Sequence, residues 1–245
     1  MTRTPACMPT TSVQFLVSLT ICLVLVLSLR CAEAQECRKP IRPPVSLDAY
    51  YASAVGQTGA ALKTALHQII TNHTRFSYTC VWTILMETDE DPANPNNVIA
   101  IYTGRSIPKT RRDRGQNDLD AWNREHVWPK SHGFPQNMQH AYTDAHHLRP
   151  EDRSVNEARN DRDFDNGGRQ HGECRACRLD ADSWEVPDAV KGDVARMLFY
   201  MDVRYEGTGG DGTPDLKLVN TTTTDTRRPE LGRLCPLLRW HPRTR

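Results

Sequence analysis

Two short stretches of this 245-residue chain carry imidazole, carboxylate and amide side chains that could act together in one site. Glu125 places a carboxylate directly beside the imidazole of His126, and Asn156 supplies an amide oxygen further along the chain. Hydrolysis of a phosphodiester bond needs a base that deprotonates water and positive charge that stabilises the transition state. A neutral histidine can accept that proton, and carboxylate and amide oxygens are ligands that Mg²⁺ accepts. The residues therefore predict a metal-assisted hydrolase in which His126 is the general base and Glu125 and Asn156 hold Mg²⁺ or another divalent ion.

The segments around these residues are predicted to form a strand, a polar loop, a second strand and a helix. Residues 124–128 and 144–149 are the two predicted strands. Ser154 and Glu157 have the spacing of a capping box, which predicts a helix from Ser154 to about Asp163. A compact unit of two strands and one helix would bring the candidate residues together.

The spacing within this unit leaves two questions of geometry open. Neighbouring residues on a regular strand face opposite sides, so Glu125 and His126 share a site only where the strand is irregular or at its edge. On the helix, Asn156 and Arg159 lie on one face, and Arg159 is predicted either to contact the phosphate or to pair with a carboxylate. Only one of two adjacent histidines can face the site from a strand, and a structural or supporting role is predicted for the second, His147.

The rest of the chain is predicted to combine helices and strands in an α+β fold. Helices are predicted at residues 47–55 and 58–71 and beyond Pro187, where apolar residues recur at helical spacing. Residues 80–86 and 98–102 are rich in β-branched and aromatic residues and are predicted as strands.

The amino-terminal residues predict export. An apolar run at residues 13–29 follows Arg3 and precedes Ala-Glu-Ala at 32–34, which is the arrangement of a secretory signal peptide. We expect residues 1–34 to be removed and residues 35–245 to form a single domain that is secreted, or periplasmic in a bacterium, without membrane association. An uncleaved membrane anchor is the alternative, although the apolar run is short for a membrane span.

Composition and charge exclude some classes of protein. With 38% hydrophobic and 25% charged residues, the chain has the composition of an ordinary soluble protein, not of a disordered or fibrous one. Without residues 1–34 the acidic and basic side chains balance, so the overall charge does not attract nucleic acid. Any attraction must come from local patches, such as the basic segment 105–114. The arginine-rich tail from residue 227 is predicted to lie on the surface.

The number and spacing of the cysteines also bear on whether the chain is exported. Five follow the leader: Cys37, Cys80, Cys174, Cys177 and Cys235. An exported chain is oxidised, so disulfides are expected, although an odd number leaves one cysteine over. The Cys174-x-x-Cys177 pair could be half of a zinc site, but the chain has no second such pair. A local disulfide, or two separate bridges, is the favoured interpretation.

Two other classes of function compete with a hydrolase. The first is a secreted, non-catalytic nucleic-acid- or zinc-binding module that uses Cys174, Cys177 and His147. The second is a calcium-dependent adhesion or structural protein built on acidic loops, of which the predicted loop 89–97 is one. A nicking assay with and without EDTA separates the first rival from a nuclease.

Three ordered blocks of sequence resemble the signature motifs of the endonuclease I family. They are Asn-Arg-Glu-His-Val-Trp-Pro-Lys-Ser at 123–131, His-His-Leu-Arg-Pro at 146–150 and Asp-Arg-Ser-Val-Asn-Glu-Ala-Arg at 152–159. This family belongs to the His-metal-finger, or ββα-metal, nucleases. The resemblance implies a mixed α+β fold with a ββα-metal unit at about 122–164. It also implies largely sequence-nonspecific cleavage of DNA, and often of RNA, to products with 5′-phosphates.

The resemblance also implies roles for individual residues. By matching position, His126 would be the general base, and Glu125 and Asn156 the Mg²⁺ ligands. Some members hold the phosphate with an arginine on an inserted loop. That insertion is missing here, so the role would pass to Arg149, to Arg159 or to no residue. We expect a monomer that acts on DNA, and on RNA as a second substrate.

Overall fold

A computed structural model describes residues 37, 45–207, 210–223 and 225–242 of the chain. The predicted leader, residues 1–34, lies outside these described residues. Pro43–Arg245 forms one compact unit. Among the described residues, no helix combines the length and the apolar character that crossing a membrane would require.

The described part of the chain contains six α-helices and three short 3₁₀ turns. The helices are α1 (Leu47–Tyr50), α2 (Gly59–Ile70), α3 (Tyr78–Thr88), α4 (Arg153–Arg159), α5 (Lys191–Arg204) and α6 (Leu234–Trp240). The 3₁₀ turns are Ala52–Ala54, His140–Thr143 and Asp188–Val190. The helices predicted near residues 47 and 58 and beyond Pro187 are confirmed, the first of them in two shorter pieces.

Eleven short strands form four small sheets within the described residues. They are β1 (Glu90–Asp91), β2 (Asn94–Ile99), β3 (Ser106–Pro108), β4 (Trp122–His126), β5 (Leu148–Asp152), β6 (Asp163–Phe164), β7 (Arg169–Gln170), β8 (Arg178–Leu179), β9 (Ser183–Glu185), β10 (Lys217–Leu218) and β11 (Glu230–Leu231). The sheets are β1-β2-β3, β4-β5, β6-β9-β8-β7 and the parallel pair β10-β11. Helices and small sheets together confirm the α+β fold class.

Strands β4 and β5 and helix α4 form the predicted strand–strand–helix unit. The strands pair antiparallel, with Glu125 opposite Arg149 and His126 opposite Leu148. The second strand begins at Leu148, later than predicted. The carboxylate of Asp144 accepts a hydrogen bond from the backbone of His146 (3.0 Å), and this turn delays the strand.

The predicted capping box at the start of α4 is wrong. The N-cap is Asp152, whose carboxylate accepts from the backbone nitrogen of Ser154 (3.1 Å). Glu157 instead accepts a hydrogen bond from the side chain of Arg153 (2.8 Å). The helix ends at Arg159 because Asn160 adopts a left-handed backbone, with φ of 54°.

Residues 80–86 are helical, and the strand predicted there is wrong. Helix α3 begins after Ser77, whose hydroxyl accepts from the backbone nitrogen of Cys80 (3.2 Å). Val81 and Leu85 are one helical turn apart and both are buried. β-branched and aromatic composition is a weak guide here because this buried helical face outweighs intrinsic propensity. The following segment, predicted as a loop, contains the hairpin of β1 and β2.

Two apolar clusters pack around the unit formed by β4, β5 and α4. In the smaller one, Val81 and Leu85 of α3 pack with Trp122 of β4 and Leu148 of β5. The larger one buries the inner face of α5. The smaller cluster therefore braces the β4–β5 pair, and the larger one includes Val155 of α4.

The carboxyl-terminal segment is part of the core, so the prediction of a surface tail is wrong. Leu237 and Trp240 of α6 are buried in the larger cluster. The indole nitrogen of Trp240 donates to Asn166 (2.9 Å). The prediction failed because α6 has few apolar residues and is flanked by arginines, which are typical of an exposed segment.

Candidate active site

An open cleft of about 680 Å³ lies where β4 ends beside α4. Glu125, His126, Asn156 and Arg159 all line this cleft. Glu125 and His126 can border the same space because β4 ends at His126. The alternation of a regular strand therefore does not separate them.

His126 is held as a neutral base. Its ring is 6% exposed, and Nε2 donates to the backbone carbonyl of Tyr142 (3.0 Å). A carbonyl only accepts, so Nε2 carries the proton and Nδ1 retains the lone pair. Burial lowers the pKa of His126 well below its usual value, and the neighbouring His147 lowers that pKa further. The imidazole is therefore neutral at physiological pH.

Glu125 is a buried carboxylate whose position is fixed by two donors. The hydroxyl of Tyr102 donates to Oε1 (2.7 Å), and a guanidinium nitrogen of Arg159 lies 3.2 Å from the same oxygen. Burial raises the pKa of Glu125, whereas Arg159 and Tyr102 act against this rise. The carboxylate thus lies where additional positive charge would stabilise its ionised form.

Asn156 reaches β4 from helix α4. Its Nδ2 donates to Oδ1 of Asn123 (2.7 Å). Asn123 and Glu125 are two residues apart on β4, so their side chains lie on the same face of the strand. With its amide nitrogen used in this way, Asn156 retains its carbonyl oxygen as an acceptor in the cleft that Glu125 also lines.

These residues fit a hard divalent cation. The donor set is one carboxylate, from Glu125, and one amide oxygen, from Asn156, and both are ligand types that Mg²⁺ takes while keeping several waters. Within the described residues, no group of three or more His, Cys, Asp or Glu side chains is arranged to hold a metal. A site here would therefore depend on these two side chains, with waters or phosphate oxygens as its other ligands.

Arg159 adopts the ion-pair alternative of its two predicted roles. Its side chain is 1% exposed and pairs with Glu125. It also donates to the carbonyls of His126 (3.1 Å) and Val127 (2.7 Å). These contacts fix α4 against the end of β4.

His147 and Arg149 are not among the residues that line the cleft. His147 is fully buried, with its ring 5.5 Å from that of His126, and its Nε2 donates to the carbonyl of Ala141 (2.8 Å). Arg149 lines a second cavity, where its side chain lies 3.7 Å from Asp89. Only one of the three supporting residues predicted from sequence, Arg159, lines the cleft.

Sequence interpretation missed several residues of the cleft. Tyr78 and Trp82 of α3 line it, and both are distant from the motif along the chain, so no spacing rule points to them. Tyr102 and Tyr142 bond to Glu125 and His126 without lining the cleft. Arg124 and Lys130 lie within the first motif block, and their charge was the available signal.

The basic segment 105–114 is largely neutralised by ion pairs. Arg111 bonds to Asp118 and Asp120, and Arg105 to Asp152. Arg114, at the end of the segment, lines the cleft.

Cys174 and Cys177 form a disulfide. Their sulfurs are therefore not available as zinc ligands, in agreement with the local bridge predicted from sequence. Among the described cysteines, Cys235 is free and exposed.

Comparison with known proteins identifies the family of this chain. The sequence model of the family described as Endonuclease I matches residues 58–243. An extracellular ribonuclease of Bacillus amyloliquefaciens is 53% identical over 201 residues, which cover 82% of this chain and 68% of that protein. An extracellular ribonuclease of Bacillus subtilis (strain 168) is 52% identical over 202 residues, with the same two coverages. The chain therefore belongs to the endonuclease I family and is a nuclease.

Proposed function

We propose that this chain is a secreted, divalent-metal-dependent endonuclease that hydrolyses RNA and DNA with little base preference and leaves 5′-phosphate ends. The main support is the presence of His126, Glu125 and Asn156 in one cleft, with Nε2 of His126 bonded to a carbonyl. The names of the two relatives support RNA as a substrate and an extracellular location. The apolar leader supports export. We propose a monomer.

The catalytic base in this proposal is Nδ1 of His126. It accepts a proton from a water molecule as the water oxygen attacks phosphorus. The bond from phosphorus to the 3′ oxygen breaks, and this leaving oxygen takes up a proton from solvent water. The phosphate then remains on the 5′ side and the other product carries a 3′ hydroxyl. The Tyr142 carbonyl holds the imidazole in the tautomer that this step needs, because its bond fixes the other proton on Nε2.

The metal ligands in this proposal are Glu125 and Asn156. When bound there, Mg²⁺ would supply positive charge that stabilises the charge developing on the phosphoryl oxygens. Tyr102 and Arg159 orient the carboxylate of Glu125, and Asn123 orients the amide of Asn156.

Activity on both nucleic acids follows from the choice of nucleophile. Water activated by a histidine does not require the ribose 2′-hydroxyl as nucleophile, so both DNA and RNA can be cleaved. A ribonuclease that uses the 2′-hydroxyl would instead leave a 2′,3′-cyclic phosphate and would not cleave DNA.

The test is a digest of matched RNA and DNA oligonucleotides with Mg²⁺ or with EDTA, followed by analysis of the product ends. With Mg²⁺ we expect cleavage of both the RNA and the DNA oligonucleotide to products with 5′-phosphate ends. We expect no cleavage in EDTA. Full activity in EDTA or cyclic phosphate ends would contradict the mechanism. Cleavage of RNA alone would contradict the breadth of substrate.

A further inference from the structure

Two tyrosines next to His126 each pack against a cation. The rings of Tyr78 and Tyr142 pack edge to face, with centroids 4.7 Å apart, and both contact the ring of His126. Arg124 lies over the ring of Tyr78, and Lys130 lies over the ring of Tyr142. We call these four residues, Tyr78, Tyr142, Arg124 and Lys130, the cation platform.

Arg124 is held rigidly without being neutralised. Its guanidinium carbon is 3.3 Å from the ring centroid of Tyr78 and 4.1 Å from that of Trp82, and one nitrogen donates to the Tyr78 carbonyl (2.5 Å). All of these partners, within the described part of the chain, are uncharged groups. A guanidinium has further N–H donors, which are left for a ligand in the cleft.

Lys130 is the second unneutralised cation of the platform. Its ammonium lies 3.3 Å from the hydroxyl of Tyr142 and 5.3 Å from the centroid of that ring. The side chain is exposed and lines the cleft. Arg159, by contrast, is paired with Glu125 and buried. Among the described residues that pack on the rings beside His126, the positive charge that remains for a substrate therefore lies with Arg124 and Lys130. Arg114 also lines the cleft, whereas the arginine of α4 is neutralised by Glu125.

The cation platform lies on the side of the cleft that holds the base. Arg124 and His126 are two residues apart on β4, and the rings of Tyr78 and Tyr142 both contact the ring of His126. A polynucleotide whose scissile phosphate lies between His126 and Glu125 must therefore pass the platform with an adjoining part of its backbone.

We infer that Arg124 and Lys130 bind backbone phosphates next to the scissile bond, so that the enzyme takes polynucleotides in preference to isolated diesters. This inference rests on the proposed function, because it needs a phosphodiester at His126. Contacts to phosphates carry no base information, so they agree with cleavage that is largely independent of sequence.

The test measures the salt dependence of binding in a His126→Ala background, with a mixed-sequence single-stranded DNA oligonucleotide as the probe. A plot of the logarithm of the association constant against the logarithm of the salt concentration has a negative slope, whose magnitude we call the steepness. For a single strand, each phosphate contact adds about 0.7 to this steepness. We expect Arg124→Gln and Lys130→Gln each to reduce the steepness by about 0.7, and the double variant by about 1.4. The matched control is Arg111→Gln, which removes an exposed arginine paired with acidic residues outside the cleft.

Unchanged steepness in the double variant would overturn the inference, as would an equal change in the Arg111→Gln control. Lys130 is exposed, so Lys130→Gln provides the test even if Arg124→Gln fails to fold. Cleavage by the wild-type enzyme is measured separately. If the wild type cleaves but the steepness of the double variant is unchanged, only this inference is wrong. If the steepness changes but the wild type does not cleave, the proposed function is wrong and the cleft is a binding site.

Discussion

The imidazole of His126 has one hydrogen-bond partner among the described residues and is largely surrounded by apolar groups. The bond and the burial have separate effects. The bond from Nε2 to the Tyr142 carbonyl fixes the tautomer. Burial among Tyr142, Phe134 and His147 keeps the ring neutral. A histidine with the same sequence neighbours but an exposed ring would lack both effects.

Replacing the proposed base tests this arrangement at the level of one residue. We expect His126→Ala to lower kcat by about 10²–10⁴ because the attacking water loses its proton acceptor. His146→Ala is the control, since His146 is exposed and stacks on Tyr200 away from this cleft. Steady-state kinetics with circular dichroism of both variants checks the result, and retained turnover in His126→Ala would contradict the assignment.

The proposed metal ligands should affect a different quantity. We expect Glu125→Gln and Asn156→Ala each to raise the Mg²⁺ concentration needed for half-maximal activity, by about 10-fold or more. The reason is that each variant removes one of the two protein oxygens offered to the ion. A Mg²⁺ titration of initial rates measures this, and an unaltered Mg²⁺ requirement in both variants would refute the ligand assignment.

His147 should make stability depend on pH. Burial lowers its pKa from 6.5 to about 4 in the folded chain. As pH falls from 6.5 to 4, the unfolded chain binds a proton that the folded chain excludes, so the free energy of unfolding decreases, by about 3 kcal/mol for this group. Glutamine does not titrate, so between pH 6.5 and 4 we expect the free energy of unfolding of His147→Gln to fall by about 3 kcal/mol less than that of the wild type. Urea unfolding at pH 7 and pH 4 decides this, and equal losses in the two proteins would count against it.

At the level of elements, the position of α4 on β4 depends on one buried ion pair. Arg159 joins the helix to two carbonyls and to the carboxylate of Glu125. The helix is only seven residues long, so its own propensity contributes little to this placement. Asn156, one turn earlier, is thereby brought to the cleft.

Removing that ion pair should be costly. We expect Arg159→Met to lower the free energy of unfolding by about 3–5 kcal/mol, because Glu125 would remain buried without its cation. Arg153→Met on the same helix removes a partly exposed pair with Glu157 and should cost at most about 1 kcal/mol. Chemical denaturation of the two variants gives the comparison, and similar losses would show that burial of the pair is unimportant.

At the level of the whole molecule, the last helix of the described residues, α6, is part of the core. Trp240 of α6 packs into the same cluster as Trp184 and Leu198, so α6 contributes to the core that also includes Val155 of α4. The disulfide between Cys174 and Cys177 lies in this cluster too. A chain exported to an oxidising compartment would keep that bond.

The disulfide should contribute modestly to stability because its loop is short. Loop-closure entropy gives about 2 kcal/mol for a Cys174→Ala/Cys177→Ala variant, which corresponds to a fall in Tm of about 4–8 °C. Cys235→Ala, which removes an exposed free thiol, should leave Tm unchanged. Differential scanning calorimetry measures both variants, and an unchanged Tm in the double variant would show that the bond is dispensable.

The sequence by itself determined the proposed chemistry and the framework that carries it. Glu125 and His126 are adjacent, and Asn156 lies on the helix that directly follows the second strand. Local periodicity also predicted α2 and α5. These features depend on residues close together in the chain, so spacing and composition are sufficient to detect them.

The tertiary structure decided which charges are used and which are neutralised. Three arginines near the motif look alike in sequence, yet Arg159 pairs with Glu125, Arg149 lines another cavity and Arg124 lies between two aromatic rings. It also turned residues 80–86 into a helix and drew α6 into the core. Each outcome depends on partners far away in the chain, whose burial energy exceeds the local preferences that a sequence displays.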